Sequence, residues 1–220
     1  MDSTFWLDKW QANEIGFHQT DIHPLLTAHW PRLDIPPGSR VLVPLCGKSR
    51  DMQWLARLGL RVIGFELSDV ATADFFGEQA LEPMVTPVGE FRRYSAKNIT
   101  IFCGDFFAAR PNLCLPCDAV YDRAALIALM PAQRKAYLQT LRSLCSPSAS
   151  GLLISVEYPT ASVTGPPFSI VRTEIDQHYL GWGTLREIER RASDVKGQPA
   201  FEVAYTFGGV AVADGARVGT

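Results

Sequence analysis

A glycine turn and a carboxylate are spaced in this sequence as they are in nucleoside-binding sites. Gly47 follows an apolar segment typical of a buried strand, and Glu66 ends the next such segment. The separation of about 20 residues is the one at which a carboxylate accepts hydrogen bonds from ribose hydroxyls, while a glycine lets the ligand approach the backbone. On spacing alone, however, an ordinary turn and a solvated strand end explain the pair more simply.

The turn also restricts the kind of cofactor. It lacks the G-x-G-x-x-G pattern that binds the pyrophosphate of nicotinamide cofactors, so these cofactors are disfavoured. Gly47-Lys48-Ser49 resembles the end of a phosphate-binding loop, but that loop needs a glycine at position 42, which is Leu42. A cofactor with a ribose and no phosphate fits a single glycine better, and S-adenosylmethionine is such a molecule.

Other side chains that could do chemistry have simpler explanations when taken alone. Trp6 and Trp10 would lie on one face of a short helix, where core packing is the usual role of such rings. His18 titrates near neutral pH and could accept a proton, although a lone histidine is more often structural. Asp122 and Arg123 form either an ion pair at a strand end or a site where the guanidinium holds a carboxylate.

Alternating strand-like and helix-like segments must position these residues. Short, branched, apolar runs predict strands at 40–45, 61–66, 99–103, 118–122 and 151–157. Helical spacing predicts helices from an N-cap at Ser49 to Gly59, from Ser68 to Gln79, and from Pro131 onward. Two candidate strands at 185–188 and 201–207 suggest an antiparallel edge. The sequence therefore predicts an α/β fold with a doubly wound, mostly parallel sheet and an antiparallel edge strand.

Composition narrows the class of partner. The 220 residues are 47% hydrophobic and carry a net charge of -2, which fits one globular domain and argues against nucleic acid and anionic membranes as partners. We expect a small-molecule partner and a monomer. The first residues lack the pattern of a secretory signal and no apolar run is long enough to span a membrane, so the expected location is cytoplasmic.

Five cysteines, an odd number, are typical of reduced thiols rather than of a disulfide framework. Cys114 and Cys117 have the C-x-x-C spacing of redox and metal sites. A strand-like segment follows them, however, rather than a helix, and no second Cys or His pair accompanies them. We therefore interpret them as ordinary loop or buried cysteines, and expect no metal.

Six stretches, in the same order, resemble the thiopurine S-methyltransferase family over nearly the whole chain. They are Trp6-x-x-x-Trp10, Gly16-Phe17-His18-Gln19, Val43-Pro44-Leu45-Cys46-Gly47-Lys48, Gly64-Phe65-Glu66-Leu67-Ser68, Tyr121-Asp122-Arg123-Ala124-Ala125-Leu126 and Gly165-Pro166-Pro167-Phe168. The resemblance implies a Rossmann-like class I methyltransferase fold, with S-adenosylmethionine as methyl donor. It implies as acceptor an aromatic or heterocyclic thiol such as a thiopurine, with selenium or tellurium compounds as further acceptors and a role in detoxification.

The resemblance also assigns residues. It implies a cofactor site formed by Trp10, Leu45, Gly47, Glu66, Asp105 and Arg123, and a substrate site formed by Phe17, His18 and Phe168. An acidic heterocyclic thiol is already partly ionised near neutral pH, so no residue is assigned with certainty as catalytic. Arg123 and His18 are the candidates.

The expected organisation is one domain with an N-terminal helical cap over the cofactor site at 1–38, an α/β core at 39–207 and a flexible tail at 208–220. The sequence departs from the family pattern in this tail, so no contacts are carried over there. Two other classes stay open at this stage: a nicotinamide-dependent Rossmann oxidoreductase, and a protein that binds the cofactor without catalysis.

Overall fold

A nine-stranded sheet forms the centre of the molecule. The computed structural model describes residues 3–159 and 164–209. The strands are β1 (Arg40–Val43), β2 (Arg61–Glu66), β3 (Met84–Val88), β4 (Phe91–Ala96), β5 (Ile99–Cys103), β6 (Cys117–Arg123), β7 (Cys145–Glu157), β8 (Thr184–Val195) and β9 (Gln198–Gly208). The α-helices in the described ranges are α1 (Ser3–Gln11), α2 (Pro24–His29), α3 (Asp51–Arg57), α4 (Asp69–Glu78), α5 (Pro131–Ser143) and α6 (Arg172–His178).

The sheet has the order β3-β4-β5-β2-β1-β6-β7-β9-β8. Its five central strands, from β5 to β7, are all parallel, and the order reverses at β1 as in other doubly wound sheets. The predicted α/β fold with an antiparallel edge at the C-terminal strands is confirmed, because β9 pairs antiparallel with both β7 and β8. The carboxyl ends of β1 and β2 therefore lie at the switch point.

A second antiparallel pair, β3 and β4, extends the opposite edge and was not among the predicted strands. Its residues are mostly exposed or half-buried and include Pro87, so they show no apolar alternation. Proline is tolerated there because β3 is the outermost strand and need not donate to a further neighbour. The hydrophobic pattern therefore contained no signal for this edge.

Both faces of the parallel strands are covered, which is why their sequences are continuously apolar. One buried cluster joins β1 to the helices on one face and includes Leu26, Trp30 and Met52. The other joins the sheet to α5 and α6 and includes Tyr137 and Ile175. The two clusters hold the ends of the central strands in fixed positions.

Some predicted boundaries were wrong for local reasons. β1 ends at Val43, since Pro44 has no N–H to donate and Leu45 has a φ of 45°. Ser49 is not the N-cap of α3, which begins at Asp51; the Ser49 hydroxyl instead accepts a hydrogen bond from the Asp51 backbone N at 3.2 Å. The next helix does begin after Ser68, whose hydroxyl accepts from the Ala71 backbone N.

The C-terminal strands form a long hairpin. A two-residue turn joins them, and both of its residues, Lys196 and Gly197, have positive φ, as in the turns that match the twist of antiparallel strands. The tail predicted to be flexible lies, from residue 210 onward, outside the described residues. Among the residues that are described, none of the helices has the length and apolar character needed to cross a membrane.

Candidate active site

The turn after β1 is held in an unusual backbone conformation. Leu45 and Gly47 have φ values of 45° and 53°, in the left-handed region. For a residue with a side chain, such as Leu45, this conformation costs of order 1–3 kcal/mol and is kept only where the surroundings enforce it. Here the Cys46 backbone N donates to the Phe65 carbonyl of β2 at 2.8 Å. The turn is thus fixed against the end of the neighbouring strand.

Glu66 lies directly beneath this turn. Its Oε2 accepts a hydrogen bond from the Gly47 backbone N at 2.8 Å, and its Oε1 accepts one from the Ser68 backbone N at 2.8 Å. The side chain is buried, and burial raises the pKa of Glu66 although the backbone donors oppose this. The Leu67 backbone also donates to this carboxylate, which has about four lone-pair sites. The structure therefore joins the predicted pair and leaves acceptor capacity for a hydroxyl group.

Aromatic rings from the N-terminal segment cover the turn. Trp10 is 6% exposed, and its Cζ2 lies 3.2 Å from the position that a Cβ on Gly47 would occupy. Phe17 contacts Trp10 edge-to-face at 5.5 Å between centroids and Trp6 at 5.4 Å. Phe17 is itself 40% exposed. The cluster of Trp6, Trp10 and Phe17, called the aromatic cap below, thus presents an open apolar edge beside the turn.

His18 follows this cap and lies within electrostatic range of the turn. Burial lowers the pKa of His18, the positive charge of Lys48 lowers it further, and Arg123 contributes in the same direction, while Glu78 opposes them. The imidazole is therefore neutral at neutral pH and able to accept a proton.

Lys48 is nearly buried and has a structural role in the described fold. Its Nζ donates to Asp74 at 3.0 Å and to Glu78 at 2.7 Å, both on α4. These ion pairs connect the turn after β1 to the helix after β2. The lysine is consequently not available as a phosphate ligand, in agreement with the rejection of the phosphate-loop pattern.

Arg123 ends β6, at the edge of the same site. It is followed by Ala124 with a φ of 62°, a second residue with a side chain in the left-handed region. The Arg123 guanidinium lies 3.9 Å from Oδ2 of the buried Asp51. Oδ2 also accepts a hydrogen bond from the Tyr121 hydroxyl at 2.9 Å, and Oδ1 accepts one from the His23 backbone N at 2.8 Å.

Asp51 was not singled out from the sequence. The only local signal was an acid in the first turn of the helix that follows the glycine turn, a place where acids are common for helix stability alone. Its partners in β6 and in the N-terminal segment are remote in sequence. Such a role becomes visible only when the chain is folded.

Asp122 does not pair with Arg123 among the described residues, contrary to one of the two interpretations given above. Neighbouring residues of a strand point to opposite faces. Asp122 is buried and accepts hydrogen bonds from the Tyr137 hydroxyl at 2.7 Å and from the Leu126 backbone N at 3.2 Å. Burial raises the pKa of Asp122 to about 6. Arg123 is thus left facing the site.

The remaining predicted residues lie farther out. Asp105 is exposed, and its Oδ1 accepts from the Phe107 backbone N at 2.9 Å. It is close in the chain to Gly104, whose backbone N donates to the Glu66 carbonyl at 2.8 Å. Phe168 is half-buried and its backbone N donates to the Ile127 carbonyl at 2.7 Å, beyond β6. In the described parts of the chain, Phe168 makes no ring contact with the aromatic cap.

The site therefore combines a buried carboxylate, a fixed backbone turn, aromatic rings and a guanidinium. Such groups bind and orient ligands. Cys46, within the turn, is buried, and burial raises the pKa of its thiol well above the usual value, which makes it a poor nucleophile. No group of His, Cys, Asp and Glu within 3–159 and 164–209 is arranged to hold a metal ion.

Sequence comparison identifies relatives along most of the chain. The family model described as Thiopurine S-methyltransferase matches residues 1–212. A thiopurine S-methyltransferase from Pseudomonas entomophila is 47% identical over 182 residues, which cover 83% of this chain and 84% of that protein. One from Bordetella parapertussis is 45% identical over 191 residues, covering 87% of each.

Structural comparison finds more distant proteins with the same fold. A Burkholderia thailandensis 1,6-didemethyltoxoflavin-N1-methyltransferase, solved with 1,6-didemethyltoxoflavin and S-adenosylhomocysteine, has a TM-score of 0.62 at 11% identity and covers 94% of this chain and 87% of its own. A magnesium protoporphyrin IX methyltransferase from Synechocystis, solved with S-adenosylhomocysteine, has a TM-score of 0.62 at 14% identity, with 94% and 99% covered. These likenesses confirm the predicted class I methyltransferase fold.

Proposed function

The chain belongs to the thiopurine S-methyltransferase family, and from this membership we propose that it transfers a methyl group from S-adenosylmethionine to the sulfur of small aromatic or heterocyclic thiols such as thiopurines. The observation that carries the proposal is the buried Glu66 carboxylate, bonded to the Gly47 backbone beneath Trp10 at the switch point of the sheet. This arrangement offers acceptors for ribose hydroxyls and an apolar cover in one place.

The described residues fit the proposed cofactor. We assign Glu66 to the ribose hydroxyls, since both of its oxygens are fixed by backbone donors and keep acceptor capacity. We assign Leu45 and Gly47 to the methionine portion and Asp105 to the adenine. Trp10 would cover the cofactor, and an aromatic face also attracts a positively charged group. When bound, S-adenosylmethionine supplies an electrophilic methyl group on its sulfonium.

The protein's contribution to methyl transfer is positioning and the exclusion of water. The exposed edge of Phe17 offers an apolar wall for a flat acceptor, and we assign Phe168 to the same role on the β6 side. Arg123 would hold an acceptor that binds as the thiolate anion. One nitrogen of its guanidinium lies 3.9 Å from Asp51, and the remaining N–H donors are free to bind the acceptor. His18, neutral at neutral pH, could take the proton of an acceptor that binds as the thiol.

We extend the proposal to further acceptors, to the physiological role and to the cellular location of the protein. Small anionic selenium and tellurium species suit a site that combines a guanidinium with an open edge, and we include them as acceptors. Methylation removes the nucleophilic thiolate, which supports a detoxification role. The five cysteines are free, in accord with a reducing cytoplasm. We also propose that the protein acts as a monomer, as expected from its sequence.

Transfer of radiolabelled methyl from S-adenosylmethionine to 6-mercaptopurine, thiophenol and selenite tests the proposal. We expect labelled product with at least one thiol, its loss in Glu66→Ala, and its retention in Glu82→Ala, an exposed acid in the loop between α4 and β3. Calorimetry of cofactor binding accompanies each assay. Binding without transfer to any acceptor would favour a cofactor-binding protein without catalysis. Because the chain belongs to a methyltransferase family, nothing supports the alternative function of a nicotinamide-dependent oxidoreductase.

A further inference from the structure

Three cysteines lie together at the amino end of the parallel strands, the end opposite the glycine turn. Cys117 begins β6 and is fully buried, and Cys114, three residues before it, is partly exposed. Cys145 begins β7 and is the register partner of Cys117. From the sequence we interpreted Cys114 and Cys117 as ordinary cysteines. In the structure this pair has a third thiol beside it, and one of its members is open to solvent.

The two thiols of the pair contact each other and are chemically unequal. The neighbouring Cys117 thiol lowers the pKa of Cys114; burial opposes this effect and the positive charge of Arg40 supports it. The same contact, together with burial, raises the pKa of Cys117. Cys114 is also the member of the pair that solvent reaches, whereas Cys117 is buried. Because an accessible thiolate is the reactive form, Cys114 is the nucleophile of the pair and Cys117 is placed to react second.

A positively charged groove gives access to Cys114. It has a volume of about 230 Å³ and is lined by Cys114, Leu115, Arg40, Arg61 and Lys97 among others. The Arg40 guanidinium lies 3.7 Å from the Asp118 carboxylate. Within the described residues the side chains of Arg61 and Lys97 have no hydrogen bond or ion pair, so their charges are not neutralised locally. The groove favours the thiolate form and can admit a small polar oxidant.

From this geometry we propose that Cys114 and Cys117 form a redox-active dithiol that a peroxide oxidises reversibly to a disulfide. The Cys114 thiolate attacks one oxygen of the peroxide and breaks the O–O bond, which gives a sulfenic acid and releases hydroxide that is protonated to water. The Cys117 sulfur then attacks the Cys114 sulfur; an S–S bond forms, and the hydroxyl leaves as a second water with the Cys117 proton. Two thiols are oxidised and hydrogen peroxide is reduced to two waters.

The proposed site is independent of methyl transfer, since it lies at the other end of the strands from Glu66. It requires only an oxidant, and a thiol reductant restores the dithiol. A disulfide of this kind is compatible with a reducing compartment, in which transient and redox-sensing disulfides are the ones that occur.

The test treats the reduced full-length protein with hydrogen peroxide and alkylates the remaining thiols at intervals. Mass spectrometry then follows two tryptic peptides, residues 98–123 with Cys103, Cys114 and Cys117, and residues 143–172 with Cys145. We expect the Cys114–Cys117 disulfide to form first, while Cys103 is still alkylated, and dithiothreitol to reverse it. Oxidation of Cys103 or Cys145 before Cys114, or a Cys114–Cys145 bond, would overturn the proposal.

Variants separate the two roles. In Cys117→Ser the sulfenic acid at Cys114 should persist and react with a dimedone probe, whereas Cys114→Ser should give no such product at Cys117. Cys145→Ser is the matched control and should still form the disulfide. An absence of label in Cys117→Ser, with the variant shown to be folded by circular dichroism, would contradict the assignment of Cys114 as the nucleophile.

Discussion

The carboxylate of Asp51 holds the side chain of Tyr121, whose hydroxyl donates to Oδ2 over 2.9 Å. The other oxygen accepts from the His23 backbone N at 2.8 Å, and the Arg123 guanidinium lies 3.9 Å away. One buried carboxylate therefore connects the start of α3, the strand that ends in Arg123, and the segment that precedes α2. Its charge also faces the guanidinium assigned to the acceptor.

Replacing Asp51 should lower the stability of the protein, because the carboxylate connects these three segments. In Asp51→Ala two buried donors lose their acceptor, and we expect the free energy of unfolding to fall by about 2–6 kcal/mol, because each unsatisfied donor costs about 1–3 kcal/mol. Asp51→Asn keeps an acceptor for the His23 N–H and should lose only about 1 kcal/mol. Urea unfolding followed by circular dichroism measures both.

Tyr121→Phe is the control for the same contact. It removes one donor and leaves Asp51 bonded to the His23 backbone, so the free energy of unfolding should fall by only about 1 kcal/mol. Equal losses for Asp51→Ala and Tyr121→Phe would mean that the carboxylate contributes nothing beyond the tyrosine contact.

Glu66→Gln should weaken cofactor binding and also lower the free energy of unfolding, by about 1–3 kcal/mol, because one backbone N–H loses its acceptor. A glutamine can accept from only one of the Gly47 and Ser68 backbone N–H groups and would turn its amide donors toward the other. Hydrogen bonds to a charged group contribute about 1.5–3 kcal/mol, so we expect the Kd for S-adenosylmethionine to rise about 10–100-fold. Isothermal titration calorimetry measures the change, with Glu82→Gln as the matched variant. An unchanged Kd would remove Glu66 from the cofactor site.

The parts of the structure that could be predicted from sequence are those with local causes. The central strands are buried on both faces and are therefore continuously apolar in sequence. Once these strands are located, the glycine turn after β1 and the acid at the end of β2 are located as well. The edge strands β3 and β4 are exposed and polar, so no periodicity identified them.

The contacts that sequence reasoning missed join residues far apart in the chain. Tyr121 and Asp51 are separated by 70 positions, and Asp122 finds its partner on α5 rather than in the adjacent Arg123. Sequence spacing does not predict either contact, because each depends on how the helices pack on the sheet. The same is true of Cys114, whose groove is lined by the starts of separate strands.

Trp10 and Trp6 should differ in their effect on cofactor binding, although both belong to the aromatic cap. The Trp10 ring lies over Gly47, whereas Trp6 contacts Phe17. A ring that covers the cofactor contributes about 0.5–2 kcal/mol, so we expect Trp10→Leu to raise the Kd for S-adenosylmethionine about 2–30-fold and Trp6→Leu to raise it less. Calorimetry on both variants, after thermal unfolding shows that they are folded, decides this. A larger effect for Trp6→Leu would contradict the assignment.

The buried Asp122 should make stability depend on pH in an unusual direction. Its pKa is about 6 in the folded protein, against an ordinary value of 3.8. Between these values the folded protein keeps a proton that the unfolded chain has lost, so this group's contribution favours folding at low pH and is lost as the pH rises. Relative to Asp122→Asn, the wild type should lose roughly 1 kcal/mol of unfolding free energy between pH 5 and pH 7.

Urea unfolding of both proteins at the two pH values measures this difference. Asp34→Asn is the matched control: Asp34 is exposed, and asparagine tolerates its left-handed φ of 50°, so the wild type should show no such trend against it. A wild-type stability that rises with pH relative to Asp122→Asn would show that the carboxyl is ionised by its hydrogen bonds rather than kept protonated by burial.

Arg123→Ala should act on the acceptor, because the guanidinium faces the site and Asp51, its acidic partner among the described residues, is 3.9 Å away. For a thiol that binds as its anion we expect kcat/KM to fall about 10–100-fold, since a hydrogen bond to a charged group contributes about 1.5–3 kcal/mol. Arg123→Lys keeps the charge but not the planar donors and should lie between wild type and alanine. Arg57→Ala, an exposed arginine on α3, should change nothing. If Arg123→Ala left both cofactor affinity and turnover unchanged, the arginine would have no part in holding either ligand.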